Sequence, residues 1–224
     1  MKWVVNALST SVGKKFVMGI TGLLLCGFLI VHLAGNLLLY ADSDGKAYNE
    51  YAHALHENEG VLMVLEVGLF GMFAAHIALA FKTASENRAA RKVRYHTQGS
   101  KIESRDSVIR PDTWMFISGV IILGFLILHL IDFKLGLRPD IDYASYKEAG
   151  KAMAILKTPL SAFVYTIGGI VLGIHLSHGI SSAFQSLGLN HPKFESLIRW
   201  GGIIFAAIIG VGFASFPLLY YFFQ

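Results

Sequence analysis

The chain has 224 residues, 54% of them hydrophobic and 15% charged, and its mean hydropathy of +0.54 is too high for a soluble domain of that size. Its net charge of +4 and pI near 9.1 come from basic residues that flank apolar runs, which argues against a nucleic-acid partner. A single cysteine, Cys26, excludes an internal disulfide, a cysteine-ligated iron-sulfur cluster and covalent attachment of haem.

Runs of about 20 apolar residues, enough to cross roughly 30 Å of hydrocarbon, occupy 16–40, 60–81, 114–133, 160–180 and 200–224. They predict an all-α polytopic membrane protein, with five transmembrane helices bundled into a single integral-membrane domain over 1–224. The first run exceeds a signal-peptide h-region and no A-x-A-type cleavage site follows it, so it is expected to stay in the mature chain. Trp114 and Trp200 are read as opening the third and fifth helices, and Tyr220 and Tyr221 as closing the last, all as interfacial anchors. Pro159 just precedes the fourth run, where a helix start tolerates proline.

Orientation follows from the basic residues. The N-terminal segment with Lys2, Lys14 and Lys15, the 82–112 connection with Arg88, Arg91, Lys92 and Arg94 among others, and the last loop with Lys193 and Arg199 hold 13. The opposite side holds 6, and its first loop is acidic, with Asp42, Asp44, Glu50, Glu57 and Glu59. The N-terminus is therefore expected inside and the C-terminus outside.

Five of nine histidines fall in the apolar runs: His32, His76, His129, His175 and His178. His32 and His76 lie 16 residues into their runs, and His129 and His175 lie 15. With a rise of about 1.5 Å per residue and alternating helix direction, they fall at two depths. His32 and His129 share the outer level, and His76 and His175 the inner. Two histidines at each of two levels is the arrangement two bis-histidine haems require. Imidazoles without accompanying carboxylates or thiolates suit haem iron better than zinc or a proton relay. A histidine-lined transporter or ion-binding protein is the alternative from a different class. His175 is preferred to His178 as the ligand because it keeps the common spacing. His178 is left to bond a propionate or to face the inner interface.

The segments TGLLLCGFLIVHL (21–33) and SGVIILGFLILHL (118–130) agree at the glycines, the GFLI run and the closing HL, so the first and third spans look like equivalent halves of one site. Gly27, Gly71 and Gly124 each stand five residues before a histidine, where a missing side chain lets a flat macrocycle approach. Glycine serves close helix packing in membranes equally well. His53, His56, His96 and His191 are read as loop residues, with His53 and His56 on the side where a quinone would dock.

SVGKKFVMGITGLLLCGFLIVHLAGNLLLY (11–40) and HLSHGISSAFQSLG (175–188) resemble the cytochrome b subunit of succinate:quinone oxidoreductases, the succinate dehydrogenases and fumarate reductases, in its single-chain, five-helix, di-haem b558 type. The resemblance spans essentially the whole chain. It implies a subunit of a bacterial inner (cytoplasmic) membrane oxidoreductase that anchors a flavoprotein and an iron-sulfur subunit, with FAD and iron-sulfur clusters confined to those partners. Two haems b carry electrons to or from a quinone, usually menaquinone, linking the tricarboxylic acid cycle to electron transport. By position, the resemblance implies that His76 and His175 bind the proximal haem and His32 and His129 the distal haem, the same pairs that depth gives.

Lys14, Lys15 and the 82–112 loop would meet the hydrophilic subunits or haem propionates, with solvated charge as the plainer role for any one of them. Glu66, about 9 Å into its helix near the distal level, is the leading candidate to protonate quinone, with Glu57, Glu59 and His56 as alternatives. Some fumarate reductases of the family carry a glutamate two residues before the last haem histidine. Gly173 stands there in this chain, which favours the succinate-oxidising direction. A di-haem subunit of another dehydrogenase, such as formate dehydrogenase or hydrogenase, shares the haems and differs in its partner.

Overall fold

The computed structural model describes residues 2–90 and 111–223. Among these, α1 (Lys2–Ser9) precedes α2 (Ser11–Leu37), and the loop after α2 leads to α3 (Lys46–His56) and α4 (Glu59–Ala90). The second half repeats the plan with α5 (Pro111–His129), α6 (Glu148–Leu156) and α7 (Pro159–Ser186), and α8 (Pro192–Phe223) closes the bundle. No strand occurs among the described residues. Five stretches, Ser11–Tyr40, Glu59–Ala90, Trp114–Leu135, Pro159–Ser186 and Pro192–Phe223, are long and apolar enough to cross a membrane. The chain is an all-α polytopic membrane protein.

Local chemistry sets the helix ends. Thr10 caps α2, its Oγ1 accepting from Gly13 N at 3.0 Å while donating to Ala7 O at 2.6 Å. Gly13 is required for that sharp entry, since a Cβ there would lie 2.2 Å from Ala7 O. Pro159 occupies the first turn of α7, as expected of a helix start. After His129, residues Leu130–Leu135 form a π-helical turn that ends at Gly136, whose φ of 59° is the left-handed conformation a helix stop favours.

The tightest seam runs between α7 and α8 through small residues. A Cβ built on Gly169 would lie 2.8 Å from Ala214 N, and one on Gly173 would lie 3.1 Å from Ala206 O and 3.2 Å from Gly210 Cα. Gly169 and Gly173 thus face Ala206, Gly210 and Ala214, two stripes of small residues at four-residue spacing, the pattern that brings membrane helices into backbone contact. α4 is different: it packs along α2 and none of its residues is buried.

Several boundaries differ from the hydropathy reading. α8 begins at Pro192, so Lys193 and Arg199 are helical and Trp200 lies two turns inside the helix. His53 and His56 belong to α3, and Lys82 and Arg88 to α4. The amphipathic elements α1, α3 and α6 add to the five spans. Tyr220 is not an interfacial anchor. Its ring is 1% exposed and its hydroxyl donates to Leu39 O at 2.8 Å, satisfying a carbonyl in the 3-10 turn (Leu38–Tyr40) at the end of α2. Lys14 is also no part of an open basic surface, being buried and paired with Glu86 of α4. Arg91, Lys92, Arg94 and His96 lie outside the described residues.

Candidate functional site

α2, α4, α5 and α7 each contribute one histidine, and the contacts place these four at two levels. At the end of the bundle that carries α3 and α6, the His32 and His129 rings stand 5.8 Å apart between centroids, at 84° to each other. Each stacks on the phenylalanine four residues earlier in its own helix, Phe28 at 5.2 Å and Phe125 at 6.0 Å. Those phenylalanines occupy the same place in the internal repeat. α8 adds Phe213 against His32 at 5.5 Å, and α7 adds Tyr165 against His129 at 6.1 Å.

The second level is fixed by two hydroxyls. Thr21 Oγ1 of α2 lies 3.2 Å from His76 Nδ1 of α4, and Ser118 Oγ of α5 lies 2.9 Å from His175 Nδ1 of α7. Thr21 and Ser118 are the first residues of the two repeats, each eleven residues before the histidine of its own helix. Eleven residues of helix is about 16 Å, which is the separation of the two levels. His76 and His175 are within electrostatic reach of each other, and His178 of His175. His178 makes no hydrogen bond among the described residues, whereas His175 has Ser118.

Haem fits these residues on two observations. One ring nitrogen of His129, Nδ1, is buried without a hydrogen-bond partner, and the nearest partner of His32 Nδ1 is Asn36 Nδ2 at 3.5 Å. Among the described residues no hydrogen bond commits either ring nitrogen of His129, and the one at His32 Nδ1 is long, so this outer pair keeps ring nitrogens available to a metal. In addition, a Cβ built on Gly27, Gly71 or Gly124 would meet nothing within 4 Å, so a flat macrocycle can approach the backbone at each. α4 meets α5 through Phe81 against Phe116 at 5.6 Å and Arg88 over the Phe116 ring at 4.8 Å, and it meets the π-helical turn after α5 through the Glu66–Lys134 ion pair. Among the described residues no three His, Cys, Asp or Glu side chains converge as a zinc site requires.

Glu66 has a partner, Lys134 in the π-helical turn, and nothing in the order of residues links these two positions, 68 apart. Ten residues before His76 on α4, it lies about 15 Å from that level, alongside His32 and His129. The same turn carries Asp132, 7% exposed, whose Oδ2 accepts from Tyr165 O–H at 2.7 Å and whose backbone oxygen accepts from Tyr143 O–H at 2.8 Å. Arg138 stands 3.8 Å from Asp132, forks onto Asp140 and donates to Ser161 Oγ. This polar cluster beside His129 was not anticipated from sequence, because its members come from the turn, the following loop and α7. Its only sequence signal is a carboxylate three residues after a histidine at the end of an apolar run.

A cavity of about 230 Å³ opens beside His32, lined by Asn36 of α2, by Tyr48, Tyr51 and His56 of α3, and by Glu148 of α6. Gly35 makes it possible: a Cβ there would lie 2.6 Å from the Tyr51 ring. His56 Nδ1 donates to Ala52 O at 2.7 Å, which leaves Nε2 as an acceptor in the neutral ring. Burial, and then the Glu148 carboxylate, push the Tyr48 phenol up, so Tyr48 remains a donor.

The start of α3 is held by Asp42, whose Oδ2 accepts from Ala47 N at 2.8 Å; that bond holds the Asp42 carboxyl below the usual carboxylate range. A lowered folded-state pKa stabilises above the unfolded value and ceases to do so as pH falls through the folded one. The first turn of α3 is therefore expected to loosen below about pH 4. Hydrogen exchange at Ala47, corrected for intrinsic rates, checks this: protection should fall with acid in the parent and show no such step in D42N.

Comparisons with protein-family models, with curated proteins and with solved structures find no match to this chain.

Proposed function

We propose that this chain is the di-haem cytochrome b membrane-anchor subunit of a succinate:quinone oxidoreductase. It passes electrons between an iron-sulfur subunit and a quinone, with menaquinone the expected quinone. The observation that carries the reading is the pairing of four intramembrane histidines at two levels, one each from α2, α4, α5 and α7. An imidazole in a transmembrane helix is costly without a partner, and four in matched pairs have a common purpose.

In this reading His76 and His175 hold the proximal haem and His32 and His129 the distal one. Held by two imidazoles, each haem would supply one-electron transfer and would not bind oxygen. The levels are about 16 Å apart, so electrons cross much of the membrane within this chain. The positive-inside bias puts the N-terminus in the cytoplasm of a bacterial cell, with α3 and α6 on the outer side. Flavoprotein and iron-sulfur partners then dock at the inner end, where Lys15 and the 82–112 connection carry positive charge.

The cavity beside His32 is the quinone site. Reduction to quinol takes two electrons and two protons, the same number that oxidation of succinate to fumarate releases in the partner subunits. Tyr48 donates a hydrogen bond to a quinone oxygen, and His56 accepts from a quinol hydroxyl. Glu66 keeps a role as proton carrier at the same depth, its charge balanced by Lys134. The succinate-oxidising direction is favoured because the position two residues before His175 is Gly173 and not a carboxylate.

Pyridine hemochrome analysis of the purified chain, with spectra of its membranes after adding succinate or menaquinol, tests the proposal. Two haems b per chain, reducible by succinate, are expected. A chain that carries no haem overturns it, and haem that menaquinol but not succinate reduces points to another dehydrogenase partner.

A further inference from the structure

We infer that Thr21 and Ser118 are positioning residues for the proximal pair. Each accepts a hydrogen bond from the ring N–H of a histidine on the neighbouring helix, which leaves Nε2 of that histidine free to bind metal and makes the ring a stronger electron donor. This rests on the haem-binding reading above and extends it to residues that touch no haem.

The direction of the bond follows from where the hydroxyl protons go. Thr21 Oγ1 lies 2.9 Å from Val17 O and 3.1 Å from Met18 O, and Ser118 Oγ lies 2.6 Å from Trp114 O and 3.2 Å from Met115 O. A hydroxyl has one proton, and in both residues it is committed to the preceding turn of the helix. What each oxygen offers the imidazole is a lone pair, so His76 Nδ1 and His175 Nδ1 must carry the hydrogen. Both hydroxyls are buried, Thr21 at 8% and Ser118 at 3% exposed, so water does not supply the acceptor in their place, although at His76 the Met18 carbonyl is a second acceptor within reach of the ring.

Two further facts argue for purpose. The arrangement occurs twice, at the same place in two copies of the internal repeat and toward two different helices. The outer-level histidines have nothing equivalent: His129 Nδ1 has no partner and His32 Nδ1 has only Asn36 at 3.5 Å. The hydroxyls therefore act on one level alone. Gly22, the next residue of the first repeat, makes room, since a Cβ there would crowd His76 Cε1 at 3.3 Å, whereas one on Gly119 would meet His175 Cε1 at an ordinary 3.6 Å. An N–H bonded to an oxygen raises the basicity of the metal-binding nitrogen, and outer-shell partners of this kind change metal-site properties by 10- to 100-fold when removed. A more basic ligand favours oxidised iron, so each hydroxyl lowers the potential of the proximal haem.

The test is an optical redox titration of both haems in membranes containing the full complex, comparing the parent with T21V, S118A, T21S and S118T. T21V and S118A are each expected to raise the potential of one and the same haem by about tenfold in its reduction equilibrium, which is about 59 mV for one electron. The other haem should stay in place, and T21S and S118T should stay near the parent. Loss of that one haem in T21V with its retention in T21S supports the same conclusion. Unmoved potentials in T21V and S118A, equal movement of both haems, or T21S and S118T behaving like T21V and S118A would overturn it. In any of these cases a parent carrying two haems leaves the functional proposal intact, whereas a parent without haem overturns that proposal itself.

Discussion

With two haems per chain proposed for the parent, membranes carrying H129L are expected to hold one, and H32L is expected to lose the same one. Each of these substitutions removes one of two facing imidazoles 5.8 Å apart, leaving a single axial ligand against an apolar side chain. H76L and H175L are expected to lose the other haem. H178L is expected to keep both, because it is His175, not His178, that bonds Ser118. Hemochrome content gives the number, and low-temperature difference spectra of the α-band tell which haem remains. The double variant H32L/H129L should then look like either single one. A pattern in which H32L and H76L lose the same haem, or in which H178L loses one and H175L does not, would break the assignment of levels.

The second large effect is expected from G173E. A Cβ alone at 173 already comes within 3.1 Å of Ala206 O and 3.2 Å of Gly210 Cα, both backbone atoms that cannot rotate aside. Overpacking a close seam costs about 1–3 kcal/mol, and a carboxyl group within the bilayer adds about 2.5–3.5 kcal/mol. Together these approach the whole stability of an ordinary domain. G173E should accumulate poorly and bind little haem, while G173A, which adds only the Cβ, should lose about 1–3 kcal/mol and keep both haems. Chain abundance in membranes and the midpoint of unfolding in denaturing detergent separate the two. A G173E chain that accumulates normally would mean that α7 and α8 can move apart, and that glycine here is not a packing requirement.

The five spans were legible because roughly 20 apolar residues in a row have few other uses. Their ends were not, since hydropathy marks the hydrocarbon and not the helix. Lys193, Glu195 and Arg199 are too polar to count, yet they form the first two turns of α8. α3 and α6 escaped notice for the same reason, being amphipathic elements that lie across the end of the bundle. Tyr220 was misread because an aromatic residue at the end of an apolar run ordinarily marks the interface. Only the fold reveals that the Leu39 carbonyl needs its hydroxyl.

At the site, the two-level order of histidines could be read from spacing alone, because rise per residue converts position into depth. Partners across helices could not. Glu66 with Lys134, and Asp132 with Tyr165, depend on which faces meet. Thr21 and Ser118 fall between these cases. The repeat had aligned them, and the shared hydroxyl was the signal, but nothing in the sequence says that the histidine it serves lies on the next helix.

The α2–α4 pair and the α5–α7 pair follow each other through the membrane in the same order of directions, so they are parallel repeats of one two-helix unit. Laying one unit on the other matches His32 with His129, His76 with His175 and Thr21 with Ser118. Each half therefore supplies one imidazole to each level and completes neither. A half of this chain on its own would be a two-helix unit with two unmatched histidines, and it could close its sites only by meeting a second copy face to face. α8, which has no counterpart in the repeat, is the element that makes the two sides unequal.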